Sequence, residues 1–313
     1  MVARAPSEIK NKKKREAVYN RQKAEKKAER RKAKDARNEE RERLGEELVP
    51  KLIPRTLENT RVFDADTQLV APDDREILAK EEHDEFSAFY GAGIPPKVLL
   101  TTCRKPSGVL IKFCKDLLQV FPTSVFYERG NYDLQEIIGY CNNRDFTDVV
   151  VVNENRKKID GMIVSHLPNG PTADFKMSSV VLHKEVRGHG KMTKARPEVI
   201  LNRFGTRLGR RVGRMLGSLF CVDPNFRGRR AITFHNQRDF IFFRHHRYVF
   251  EEKEERMKKK DPNEPVRARL QEIGPRFTLK LKSLQVGTFD PAATEFEWKQ
   301  TKEKNKQRRL FEL

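Results

Sequence analysis

The sequence predicts a mixed α/β domain of two related halves behind a basic N-terminal extension. Strand-like and helix-like apolar periodicities alternate from Lys97 to Leu182. A similar order returns, more loosely, after a glycine-punctuated helix and runs to Leu284. Residues 10 to 45, by contrast, are lysine, arginine, glutamate and alanine with almost nothing to bury, which fits a solvated helix or a disordered arm.

The elements follow in order. Lys97–Thr102 is a short apolar strand after Pro95-Pro96, and Ser107 caps a helix with Val109, Leu110, Phe113, Cys114, Leu117, Leu118 and Phe121 at helical spacing. Leu134, Ile137, Ile138 and Cys141 mark a second helix. The four valines of Asp148–Asn153 favour a strand buried on both faces. Gly161–Leu167 and Ala173–Leu182 read as strands joined by the turn Pro168-Asn169-Gly170-Pro171. Arg230–His235 and Phe240–Phe250 form another pair, followed by a charged insertion, Lys253–Pro265. Arg276–Leu284 alternates Phe277, Leu279 and Leu281 with Arg276, Thr278, Lys280 and Lys282, which gives one buried face and one basic face. Phe240, Phe242 and Tyr248 share a strand face and are expected to fill the core.

Between the halves, Asn202–Phe220 repeats arginine, apolar residue and glycine every four residues: Arg203-Phe204-Gly205, Arg207-Leu208-Gly209, Arg211-Val212-Gly213 and, without the arginine, Met215-Leu216-Gly217. On a helix a four-residue step turns only about 40°, so the repeat makes a cationic, an apolar and a bare ridge. Each helical glycine costs about 0.8–1 kcal/mol relative to alanine, so the bare ridge implies close backbone approach. Ile200, Phe204, Leu208, Val212, Leu216 and Phe220 are expected to face the core. The arginines have no acidic residue among them from Arg203 to Arg214, which suits a polyanion better than a solvated surface helix.

Composition narrows the partner. The chain has 313 residues and a formal net charge of +20, so nucleic acid is the leading partner class. Residues 1 to 45 hold 17 lysines and arginines against 8 acids, whereas residues 46 to 96 hold 5 against 12. The expected organisation is a basic tail (1–45), an acidic proline-containing linker (46–94), a folded domain with halves at about 95–185 and 186–298, and a basic C-terminal tail (299–313). No apolar run is long enough to span a membrane and no secretory signal is evident, so an intracellular protein without membrane contact is expected. The four cysteines are too widely spaced for a disulfide framework or a zinc ribbon.

Catalytic motifs fail on inspection. Gly188-His189-Gly190-Lys191 resembles the end of a phosphate loop, but Glu185 and Met192 stand where that loop needs glycine and Ser or Thr. His245 and His246 are adjacent strand residues pointing to opposite faces, which one metal ion cannot bridge. No acid/base pair or triad stands out, and no metal or cofactor is expected.

RGNYDLQEI, VSHLPNGPTADF, RFGTRLGRRVGRMLGSLF, ITFHNQRDFIFFRHHRYVF and IGPRFTLKLKSLQ together resemble the Brix domain of eukaryotic ribosome-assembly proteins, over about residues 95 to 298. The resemblance implies two α/β halves with mixed sheets, related to an anticodon-binding domain. It also implies a nuclear, nucleolar, non-enzymatic factor that binds precursor ribosomal RNA during large-subunit (60S) assembly, commonly beside a dedicated protein partner. Ile273–Leu281 matches a family segment taken as RNA-binding.

The expected RNA contacts are therefore Arg203, Arg207, Arg210, Arg211 and Arg214 on the helix, Arg227, Arg229, Arg230, Arg244 and Arg247 among the aromatic-rich strands, and Arg276, Lys280 and Lys282 on the last strand. The competing reading is a protein-interaction scaffold in pre-ribosomal particles with little direct RNA contact. An RNA-processing enzyme ranks third.

Overall fold

The computed structural model describes residues 10–44, 53–71, 73–251, 267–289, 295–301 and 309–313. The expected insertion at Lys253–Pro265 lies outside them. The chain divides into two compact units, Met1–Thr60 and Arg61–Leu313. The first is dominated by a single helix, α1 (Lys12–Leu44), which buries no residue. Its composition supplies charge on every side and no apolar stripe.

The second unit opens with two short helices, α2 (Arg75–Glu82) and α3 (Ser87–Ala92). The first half-domain then runs β1 (Val98–Thr102), α4 (Gly108–Val120), β2 (Ser124–Phe126), α5 (Leu134–Asn142), β3 (Asp148–Asn155), β4 (Lys158–His166) and β5 (Thr172–Val181). Ser107 caps α4 by accepting the Leu110 N–H, and Asp133 with Glu136 forms a capping box at α5. The second half runs β6 (Glu198–Asn202), α6 (Arg207–Ser218), β7 (Arg230–Gln237), β8 (Phe240–Glu251), β9 (Arg267–Glu272), β10 (Arg276–Gln285) and β11 (Phe296–Lys299).

Both halves share one sheet, ordered β2-β1-β3-β4-β5-β10-β8-β7-β6, with β9 on β8 and β11 on β10. Each half begins with a parallel pair, β1·β3 or β6·β7, and continues with antiparallel strands. The halves join where β5 pairs antiparallel with β10, Phe175 opposite Leu281 and Ser178 opposite Thr278. On one face α4 and α6 seal a core of Leu110, Phe113, Leu117, Val212, Leu216, Phe234, Phe243 and Phe277. On the other face α5 covers only the β1–β3–β4 end, through Leu99, Ile137, Ile138, Val149 and Val151, with Ile163 packed against them.

Three features differ from the sequence expectation. The Asn202–Phe220 repeat is a strand end, a loop and a shorter helix. Arg203 takes a left-handed φ of 63°, and Thr206 caps α6 by accepting the Gly209 N–H. Within α6, Val212 and Leu216 are buried, but Ile200 lies on β6 and is exposed. Second, the β8 register is the reverse of the expected one. Phe243 pairs with Phe277 in the core, so Ile241, Phe243 and His245 point inward while Phe240 and Phe242 face out. Alternation in an aromatic-rich strand does not say which of two apolar faces is the core face; the neighbouring strand decides it. Third, the acidic stretch from Arg61 to Ala92 belongs to the folded unit, with Phe86 fully buried in the main core.

The bare ridge of α6 serves close packing. A β-carbon at Gly217 would run into the Tyr90 hydroxyl, and one at Gly209 would crowd Thr206 and Leu313. Phe311 and Leu313 are buried there, and the Thr206 hydroxyl donates to the Glu312 carbonyl at 2.7 Å.

Candidate nucleic-acid interface

The uncovered part of the sheet, over β5, β10, β8 and β7, is a basic and aromatic platform. Register places Lys176, Lys280, Phe240 and Gln237 in one row across the four strands, and Ser178, Thr278, Phe242 and His235 in the next. Lys176 is exposed, Phe240 is 41% exposed, and Phe242, Lys280 and Arg244 are half-buried. The Lys280 ammonium lies 5.2 Å from the Phe240 ring centre, and the Arg244 guanidinium 5.8 Å from that of Phe242. These pairs hold rings and charges at the same surface.

Burial is the first cause of the lowered pKa values on the platform. Arg244 is lowered from its ordinary pKa by burial first and then by Arg276, although Glu272 opposes. His246 is lowered by burial, with Arg244 and Arg276 adding to it, and His235 by burial and the charge of Arg203. A site whose cations disfavour their own charge is relieved by a bound anion. Arg276 bonds Glu272 through both Nε (2.8 Å) and Nη2 (2.6 Å), and Lys282 lies 3.4 Å from Asp174.

The α6 arginines are placed otherwise. Arg210 donates twice to Glu81, at 2.6 and 2.9 Å, and Arg214 twice to Asp84, at 2.7 Å each. Arg211 is gripped by Glu85 and Glu297, the latter at 2.6 Å on both bonds. The bond to Arg210 holds Glu81 below the ordinary carboxylate range, and Arg211 is raised because its carboxylate bonds outweigh its burial. Only Arg207 is well exposed, 3.8 Å from Glu76. The carboxylates missing at i±4 within the helix come from the acidic segment, anchored through Phe86, and from Glu297 on β11. These three guanidinium groups thus hold α2 and α3 against α6.

Arg230, expected at the surface, is 1% exposed. It donates to the carbonyls of Thr193 and Ala195 at 2.9 Å, to those of Gln119 and Val120 at the C-terminal end of α4, and to His245. A cation at a helix C-terminus is favoured by the helix dipole. Arg203 follows β6, Arg227 and Arg229 precede β7, and Arg247 lies within β8 opposite Arg230; all four are exposed. Sequence reading missed Lys176, although the alternation of Ala173, Phe175 and Met177 with Asp174, Lys176 and Ser178 carried the signal.

Among the described residues no group of three His, Cys, Asp or Glu side chains could hold a metal ion, and no helix is long and apolar enough to cross a membrane.

Comparison with known proteins matches residues 103–283 to the Brix domain. Ribosome production factor 1 of Pongo abelii is 48% identical over 309 residues, covering 98% of this chain and 84% of that protein. The Mus musculus protein of the same name is 47% identical over 309 residues, with the same coverage. That of Danio rerio is 50% identical over 309 residues, covering 98% of this chain and 89% of the relative.

Proposed function

The chain belongs to the Brix-domain family, and from that premise we propose that it is a non-enzymatic assembly factor that binds precursor ribosomal RNA while the large subunit is built. The part in ribosome production rests on relatives named for it at nearly half identity over almost the whole chain. RNA as the ligand rests chiefly on one observation, the uncovered face of β5, β10, β8 and β7 with Lys176, Lys280 and Arg244 beside Phe240 and Phe242. Phosphates sit against the cations, and an unpaired base stacks on an exposed ring for about 1–3 kcal/mol. Arg203, Arg227, Arg229 and Arg247 extend the basic surface at its margins, and Lys282, Arg276 and Arg207 lend charge while partly neutralised. The large subunit, the nucleolus and a dedicated protein partner are carried by the family resemblance.

Crosslinking in cells tests the reading. Crosslinked peptides from β8 and β10, attached to precursor large-subunit RNA and abolished by Lys176→Glu/Arg244→Glu, are the expected result. Crosslinks confined to α1 would make the folded unit a protein-binding scaffold.

A further inference from the structure

β6 ends the sheet order opposite β2 and, among the described residues, pairs only with β7. Its other edge therefore presents backbone N–H and C=O groups without a strand partner among the described residues. Ile200 is 45% and Leu201 38% exposed, an unusual load of apolar surface for an open edge. Beside that edge runs a cleft of about 390 Å³, walled by β6 and by Phe89, Tyr90, Phe220, Val222 and Phe226. It continues past Pro224 and Phe226 into a second hollow of about 680 Å³, where Lys194, Arg196 and Arg227 outnumber Asp223.

We propose that this edge and its cleft receive an extended segment of a partner protein, added to the sheet as a further strand beside β6. Alternate apolar side chains of the segment enter the cleft, and acidic residues flanking it meet Lys194, Arg196 and Arg227. The occupant follows from two features together. A row of backbone donors and acceptors at strand spacing is satisfied by another polypeptide in extended form, with pockets reading every second side chain. The change from apolar wall to cationic hollow along one groove calls for a ligand that changes from apolar to anionic over the same length. RNA offers phosphates to the hollow but no row of donors and acceptors at strand spacing to the edge. Apart from Arg227, which also stands at the margin of the RNA surface, this surface is separate from the platform, and its test, through positions 196 and 222, stands or falls independently of the RNA reading.

The test uses the full chain and three fluorescent peptides: Glu-Asp-Thr-Val-Thr-Ile-Thr-Val-Asp-Glu, the same peptide N-methylated at alternate residues, and a copy with lysines for its acidic ends. The first is expected to bind at least about tenfold more tightly than either other. Val222→Glu, in the exposed wall of the cleft, should weaken it at least about tenfold with the melting temperature unchanged, and Arg196→Glu should shift preference toward the lysine-ended copy. Equal binding of all three peptides, binding by none, or displacement by a uridine oligonucleotide overturns the proposal. As a second measurement, a photo-crosslinking residue at position 222 should capture in cells one protein segment of alternating apolar pattern with acidic flanks. Capture of RNA instead would also overturn it.

Discussion

Arg230 donates from Nε to Nε2 of His245 at 2.8 Å inside the core, and the other ring nitrogen of His245 lies 2.7 Å from the Gly274 carbonyl. The imidazole must therefore be neutral, with its proton on Nδ1, because Nε2 is accepting. Arg230 is the pin of the fold: from a second-half strand it reaches the last carbonyls of α4, in the first half. No carboxylate among the described residues pairs with it, and burial pushes its pKa down to about 10.

Arg230→Met should destabilise the protein by about 3–5 kcal/mol, since it strips four carbonyls and an imidazole of their donor. Urea unfolding measures this. A loss under about 1 kcal/mol would mean that water enters and satisfies those groups.

His245 sets an acid limit. Burial, and after it the charge of Arg230, push its pKa down to about 3 from an ordinary 6.5. Between these values the unfolded chain binds more protons than the folded one, so the stability is present above 6.5 and is lost as pH falls through the window. His166 acts with the opposite sign. Burial lowers its pKa, but the 2.8 Å bond to Asp148 and the charge of Glu85 outweigh that and raise it, so its share is present below 6.5 and lost as pH rises through the folded value. Melting curves from about pH 4 to 8 should show a steep acid limb, and His166→Gln should flatten the neutral side.

The clasp between α6 and the acidic helices separates structural from ligand-binding arginines. Asp84→Asn, which weakens a doubly bonded and largely buried pair with Arg214, should cost about 1–3 kcal/mol. Glu76→Gln, facing exposed Arg207, should leave stability nearly unchanged. Thermal unfolding of the two variants distinguishes them.

RNA affinity should depend on the platform. Lys176→Glu/Arg244→Glu is expected to lower affinity and reduce the slope of log K against log salt by about one for each phosphate that the variant leaves unneutralised. Arg210→Gln should leave the slope unchanged, since that side chain is held by Glu81. The reverse pattern would move the RNA site to α6.

Gly217→Ala should destabilise the protein by about 1–3 kcal/mol, because the new methyl meets the Tyr90 hydroxyl, which donates to the Arg214 carbonyl at 2.9 Å. Tyr90→Phe in the same background should recover part of the loss.

The sequence by itself determined the α/β order, the cap at Ser107, the strands at Val98, Asp148 and Arg276, and the basic face of β10, because these depend on local periodicity and capping chemistry. It determined the family through motifs spread across the domain. Only the tertiary structure decided which arginines face solvent. A guanidinium in a sequence is a charge without an address: Arg210, Arg211 and Arg214 meet carboxylates more than a hundred positions earlier, or in Glu297, and Arg230 meets carbonyls of α4. Only the structure chose the buried face of β8, since Phe240 and Phe242 alternate with Ile241 and Phe243 and both faces are apolar. Pairing of Phe243 with Phe277 resolves it, because side-chain direction in a strand is fixed by the neighbour it hydrogen-bonds and not by its own composition.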